Sequence, residues 1–313
     1  MKRVVAMVAL GAALVLAVAG CGGSTATFRH EILLLGHGNG TGRIFLWRPG
    51  LRPKPLTESA YGVSGGGEFF SGMSDGVWSP DGRSIAFEAD SPGGLAPPNP
   101  GIVVMRSDGT HVKPLAIGHM GAVYGSPSWS PDGRQIVYKR ESTSFYGASW
   151  QNFAIVDVSS ERLRALPAAL ATGDPVWGKP GIAYASDSGI MLLDPTSGDS
   201  RLMTGDVTSG TLAWSPGGEL AVAESAQIVL LAASGQVVGK LPVPVDGRPC
   251  GIAWSPDGKQ ILASTSTTTG NPSLWVGTVS TKRWRRLPPV AVWKRAVAVP
   301  PRKYTYDCAI SWS

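Results

Sequence analysis

Three sets of residues have types and spacings that chemistry could use. Gly72-Met73-Ser74-Asp75-Gly76 matches the Gly-x-Ser-x-Gly pattern of a serine nucleophile, which works when a sharp strand-to-helix turn lifts the hydroxyl toward a general base. Here the pattern runs directly into a strand and reads as a coincidence in a loop rich in Gly and Ser. Gly36-His37-Gly38-Asn39-Gly40-Thr41-Gly42 follows a strand in the manner of a phosphate-binding loop, but no helix N-terminus comes after it to hold a phosphate. It reads as a flexible connection between two strands. The four histidines, His30, His37, His111 and His119, lack the spacing of metal ligands. No catalytic residue, metal site or cofactor is therefore expected.

The cysteines form the second set. Cys250 precedes Trp254 by four residues and Cys308 precedes Trp312 by four, a shared register that suggests a bridge in an exported chain. The alternative is that neighbouring strands hold the two thiols beyond the roughly 7 Å Cα limit of a disulfide. Cys21 lies behind Lys2 and Arg3, an uncharged apolar run from Val4 to Val18, and the small residues Ala19 and Gly20. That layout is a secretory signal. The third set is aromatic and cationic: Tyr61, Phe70, Tyr124, Phe145, Tyr146, Trp150, Trp293, Tyr304 and Tyr306, interleaved with Arg140 and Arg295. Such side chains are common anchors of binding surfaces; their competing role is to pack long loops onto the body beneath.

What must position these residues is a recurring phrase: Trp78-Ser79-Pro80-Asp81-Gly82, Trp129-Ser130-Pro131-Asp132-Gly133 and Trp254-Ser255-Pro256-Asp257-Gly258, with a weaker copy at Trp214-Ser215-Pro216-Gly217-Gly218. Ser, Pro, Asp and Gly suit the four positions of a type I turn, Pro presetting φ and Gly relieving the exit. The apolar, β-branched segments on either side predict a hairpin around each turn. With 41 Gly, 25 Pro and only 16% charged residues, and no apolar stretch of helical period and length after the first twenty residues, the chain is all-β.

Taking Trp78, Trp129, Trp177, Trp214, Trp254 and Trp312 as equivalent gives spacings of 51, 48, 37, 40 and 58 residues, the range of four-stranded propeller blades with variable loops. The fourth strands close at Leu115, Leu166, Leu202, Leu241 and Leu287. Residues 31–57 supply three strands but no Trp-bearing first strand, and the sequence stops at Ile310-Ser311-Trp312-Ser313, a first strand with nothing after it. Pairing the two would complete a blade and remove an exposed edge. The expected architecture is a six-bladed β-propeller over residues 31–313, one blade closed by N- and C-terminal strands, behind a signal peptide (1–20) and a tether (21–30).

The phrase Trp-Ser-Pro-Asp-Gly followed by an Ile-Ala-Phe-like strand resembles the WD40-like (PD40) repeat of the TolB propeller domain, over about residues 31 to 313. The resemblance implies the fold; the same repeats serve translocation factors, prolyl-oligopeptidase propellers and lyases, so it does not select an activity. Val18-Ala19-Gly20-Cys21 resembles the bacterial lipoprotein processing box, which implies cleavage before Cys21 and its acylation. Without residues 1–20 the chain keeps 26 basic and 22 acidic residues, a mild bias toward anionic lipid headgroups or acidic wall polymers. No nucleic-acid motif is present, and nucleic acid is not an expected partner.

In a four-stranded meander the loops after the second and fourth strands share one face. There the long segments 58–75, 89–100, 139–152, 264–273 and 288–307 gather over four blades, whereas 186–189 and 224–226 are minimal. Loops on a rigid scaffold are the usual place for recognition. The expected function is a monomeric, lipid-anchored module on the extracytoplasmic side of a bacterial membrane, binding an envelope protein or wall component without catalysis. The alternative is a hydrolase or lyase with its site at the channel mouth.

Overall fold

The computed structural model describes residues 31–38, 41–57, 73–89, 101–118, 122–142, 151–167, 171–207, 210–224, 226–243, 249–267, 270–290 and 305–312. Their strands form six four-stranded antiparallel sheets. Blade one joins β1 (Ile32–Gly38), β2 (Thr41–Trp47) and β3 (Lys54–Pro55) to the last strand of the chain, β24 (Thr305–Trp312). Blade two is β4 (Met73–Trp78), β5 (Ser84–Ala89), β6 (Gly101–Arg106) and β7 (Lys113–Ile117); blade three is β8 (Ala122–Trp129), β9 (Gln135–Ser142), β10 (Gln151–Asp157) and β11 (Leu163–Ala165). Blade four holds β12 (Val176–Gly178), β13 (Gly181–Ser186), β14 (Gly189–Leu193) and β15 (Ser200–Thr204). Blade five holds β16 (Thr211–Trp214), β17 (Leu220–Ala223), β18 (Gln227–Leu231) and β19 (Val237–Pro242). Blade six holds β20 (Pro249–Trp254), β21 (Gln260–Thr267), β22 (Gly270–Thr278) and β23 (Arg283–Arg286).

The innermost strands touch in the cycle β24, β4, β8, β12, β16, β20 and back to β24, which makes the six sheets a closed ring. The seam has the register expected of it: Ile32 pairs with Trp312, Leu33 with Ser311 and Leu34 with Ile310. Apolar side chains fill six wedges, each shared by two neighbouring blades; Phe45 and Trp47 of blade one meet Leu274 and Val276 of blade six, for example. Middle strands are therefore buried on both faces, and β17 reads Leu-Ala-Val-Ala without a polar residue.

Each Ser-Pro-Asp-Gly turn builds one hydrogen-bond pattern. In blade two the Gly82 amide donates to Ser79 O (2.9 Å), Ser79 Oγ donates to Asp81 Oδ1 (2.7 Å), and the Ser84 amide donates back to Ser79 Oγ (2.9 Å). The exits need glycine, since Gly82, Gly133 and Gly258 have φ of 67°, 70° and 69°. Ser79 and the Arg83 amide hold the Asp81 carboxyl below the usual carboxylate range, and Ser130 and the Arg134 amide do the same for Asp132.

The tryptophans that open these turns tie the ring together. Indole N–H groups of Trp129, Trp214 and Trp254 donate to the backbone carbonyls of Val77, Val176 and Ala213, each on the innermost strand of the preceding blade (3.2, 3.1 and 3.0 Å). In return, Ser311 and Ser128 accept the backbone N–H of Trp78 and Trp177 in the following blade (3.2 and 2.9 Å). An innermost strand has one unpaired edge facing the channel, and the bonded amides of Trp78 and Trp177 lie on it.

Three details depart from the expectations above. Leu202 is 50% exposed and Met203 takes its place in the core, because the pairing of β14 with β15 slips between Ile190 and Met191 and rotates the strand. Segment 264–273 is not a long loop: β21 and β22 run on until Thr267 pairs with Gly270, as its β-branched threonines favour. Likewise β9 runs through Ser142 and β10 starts at Gln151, so Arg140 lies on a strand.

Candidate recognition face

Bulges mark one end of the innermost strands. The ladder slips between Ser74 and Val77 in β4, between Gly125 and Ser128 in β8, between Pro249 and Gly251 in β20, and opposite Leu34 and Gly36 in β24. Asp75 and Ser126 sit in the first two with φ of 50° and 52°, a conformation that costs a non-glycine residue energy and that clusters where side chains are re-aimed. Blades four and five have short innermost strands of three and four residues with no slip. The asymmetry follows the sequence: bulged strands belong to the four blades where long segments gather.

Blades two and three show what a bulged rim holds. Tyr124, expected on a loop, lies in β8 and is 5% exposed. Its ring lies 5.4 Å from that of Tyr138, and the Arg140 guanidinium sits over it at 5.4 Å. Burial pushes the Tyr138 hydroxyl well up, and the neighbouring Tyr124 acts in the same direction, so Tyr138 stays protonated. A Cβ on Gly125 would fall 2.3 Å from Glu88 Oε2; the absence of a side chain at 125 lets a carboxylate of blade two rest on the innermost strand of blade three. On the far side of β9, Lys139 bridges Glu141 (2.5 Å) and Asp174 (3.7 Å). Gln151 Nε2 and Asn152 Oδ1, opposite Glu141 and Arg140, are buried without a hydrogen-bond partner. Buried polar atoms left this way call for a partner.

Cation, phenols, carboxylate and primary amides at one rim can recognise a polar ligand. A nucleophilic serine is not built here: Ser74 pairs with Glu88 inside β4, away from any strand-to-helix turn. Of the other sequence-predicted residues, Tyr61, Phe70, Phe145, Tyr146, Trp150, Trp293, Arg295 and Tyr304 lie outside the described residues, as do Cys21, His30 and His119. Tyr306 and Cys308 fall in β24 with side chains outside them, and so does His37 in β1. His111, beside the blade-two turn, shares a 2.9 Å hydrogen bond with Thr110. Cys250 is disulfide-bonded, and the slips of β20 and β24 fall at Cys250 and at the segment containing Cys308. Glu88, Gln151 and Asn152 were not singled out in the sequence, where nothing marks a polar residue at a strand end.

The opposite, tight-turn face has a cavity of about 310 Å³ between the turns of blades two and three, lined by Ser79, Asp81, Trp129 and Asp132 among others. Its Ser and Asp groups already bond within their own turns.

Fold and seam together define a TolB-like six-bladed β-propeller. TolB from Acinetobacter baumannii superposes with a TM-score of 0.62 at 16% identity, over 91% of this chain and 67% of that one. A chain of a nidogen/laminin complex gives 0.60 at 12% identity (83% and 94% covered), and puromycin hydrolase 0.51 at 18% (81% and 44%). This chain thus spans about two thirds of TolB and less than half of the hydrolase. At such identities the likeness is one of fold. No family model matches the sequence, and no curated protein does.

Proposed function

We propose that the protein is a lipid-anchored propeller of the bacterial cell envelope that binds an envelope protein or wall component through its long-loop face, without catalysis. The observation that carries this reading is the rim of blades two and three, where bulged strands bring the Arg140–Tyr124–Tyr138 stack beside the unpartnered amides of Gln151 and Asn152. Partly satisfied polar groups next to aromatic surface are the composition of a recognition site. TolB-like architecture is compatible with such a scaffold, and the signal layout ending at Cys21 supports attachment through an acylated cysteine. Two acyl chains make such anchoring stable where one gives only marginal binding.

Photo-crosslinking residues placed at Trp150 and Trp293 in intact cells test the face. Capture of a discrete partner from either position, lost on Arg140→Ala, supports the reading; capture of nothing above background refutes it. Palmitate labelling tests the anchor: Cys21→Ala loses the label and releases the protein, and unchanged membrane retention of the variant would sink the assignment.

A further inference from the structure

Charge is distributed unequally around the ring. Residues 31–57 and 249–312, which contain blades one and six, carry thirteen Lys and Arg and three acidic residues, Glu31, Asp257 and Asp307, whereas residues 58–248 carry twelve basic and nineteen acidic ones. The mild net charge of the whole chain conceals this polarity. Blades one and six are neighbours across the seam, so the cations of their described strands and turns share one sector.

Among the described residues of that sector, exposed cations gather at the tight-turn end. Blade one presents Arg48 and Arg52 in the connection from β2 to β3 and Lys54 at the start of β3; blade six presents Lys282, Arg283 and Arg285 on its outermost strand and the turn before it. Elsewhere in the ring, Arg201 on the outermost strand of blade four donates to Ala233 O in the corresponding turn of blade five (2.8 Å). Outermost strand and following turn therefore adjoin, and the same relation places β23 beside residues 48–54.

Leu51, between two of these arginines, is 60% exposed. Its exposure is built in: the Leu51 amide donates to Arg48 O (3.0 Å), Trp47 Nε1 donates to Leu51 O (2.9 Å), and Pro49-Gly50 with Gly50 at φ 86° makes a type II turn. A fixed backbone thus holds an apolar side chain out among cations.

The chain also enters the fold here. Glu31, immediately before β1, forms an ion pair with Arg48, so whatever precedes residue 31 leaves from the tight-turn face beside this patch. Ten residues, 21 to 30, reach at most about 35 Å.

We propose that residues 48–54 and the 282–286 edge form a docking surface for an anionic bilayer, which turns the tight-turn face toward the membrane and the long-loop face away from it. This rests on the membrane attachment read above. Cations attract the headgroups, Leu51 enters the interface, and the partner-binding rim faces outward.

The test uses the full chain in vesicles of phosphatidylcholine with and without phosphatidylglycerol, followed by flotation and amide hydrogen exchange. Amides of 48–54 and 282–286 should exchange several-fold more slowly only with phosphatidylglycerol, high salt should reverse this, and those of β17 should not respond. Arg52→Glu/Arg283→Glu/Arg285→Glu should abolish the protection, and Leu51→Ser should weaken it. Flotation on both lipids with equal exchange overturns the docking alone; failure to float on either overturns the attachment as well. Equal protection by soluble polyphosphate, insensitive to Leu51→Ser, would also overturn it, assigning the patch to an acidic polymer.

Discussion

The indole hydrogen bonds between blades lend themselves to an internally controlled measurement. Trp78, Trp129 and Trp254 stand at equivalent positions and are 9%, 6% and 6% exposed, so replacing each with Phe removes similar volume and apolar area. Trp129 and Trp254 also lose a bond to the preceding blade, from Nε1 to Val77 O and Ala213 O. Trp78 Nε1 is buried without a partner, and its removal takes away a donor that was already costing stability. A buried hydrogen bond contributes about 0.5–1.5 kcal/mol net, and an unmade one costs about 1–3 kcal/mol. Trp129→Phe and Trp254→Phe should therefore each be more destabilising than Trp78→Phe by about 1.5–4.5 kcal/mol. For a chain of this size that corresponds to roughly 2–7 °C in Tm. Guanidinium unfolding with a common slope measures the difference as a shift of midpoint. Equal costs at the three positions would show that the indole bonds do not hold the ring and that the tryptophans act through bulk alone.

Asp157 holds the amides of Ser160 and Ser159 and both their hydroxyls, which lowers its carboxyl to about 2. A depressed folded-state value means that the contribution is complete above the unfolded value near 4 and fades as pH falls toward 2; Tm measured across that window should fall less steeply in Asp157→Asn than in the parent. For the remaining disulfide partner we propose Cys308: unfolded, unreduced protein should show neither Cys250 nor Cys308 as a free thiol, and Cys308→Ser should cost on the order of 4 kcal/mol for a loop of 58 residues. Detection of both thiols would refute that pairing.

The parts of the fold that were legible in the sequence are those set by local chemistry and its repetition. Ser-Pro-Asp-Gly encodes its own turn, as the Ser79–Asp81 and Ser255–Asp257 bonds show, and six tryptophans in phase with it count the blades. The seam was legible because a first strand was missing at one end and surplus at the other. Slips were not, since a bulge at Asp75 or between Ile190 and Met191 reflects how two strands fit and leaves no mark in either alone. For the same reason Tyr124 looked like a loop aromatic: Ala122-Val123-Tyr124-Gly125 pairs all along β9, but its Gly and Ser neighbours resemble a connection. The recognition rim was legible only as a face, because Glu88, Gln151 and Asn152 acquire meaning from the strand opposite.

The position of the seam has a mechanical consequence for a chain held through its N-terminal segment. Such a chain is pulled at Glu31, and the strand that takes the load, β1, lies inside its sheet with β24 on one side and β2 on the other: Ile32 pairs with both Trp312 and Trp47. Tension along β1 shears two antiparallel ladders together, where tension on an edge strand would open one ladder bond by bond. Had the fold begun with an innermost strand, the tether would have loaded the channel edge, which has a ladder on only one side. Closing blade one with the C-terminal strand is what moves β1 off that edge, and β24 is itself braced by β20, whose Cys250 is disulfide-bonded. Loss of β24, by truncation before Thr305, should thus weaken the resistance of the tethered propeller to pulling through Glu31. Force spectroscopy on the parent and the truncated chain, pulled from the same end, compares them directly, and equal unfolding forces would refute this account of the seam.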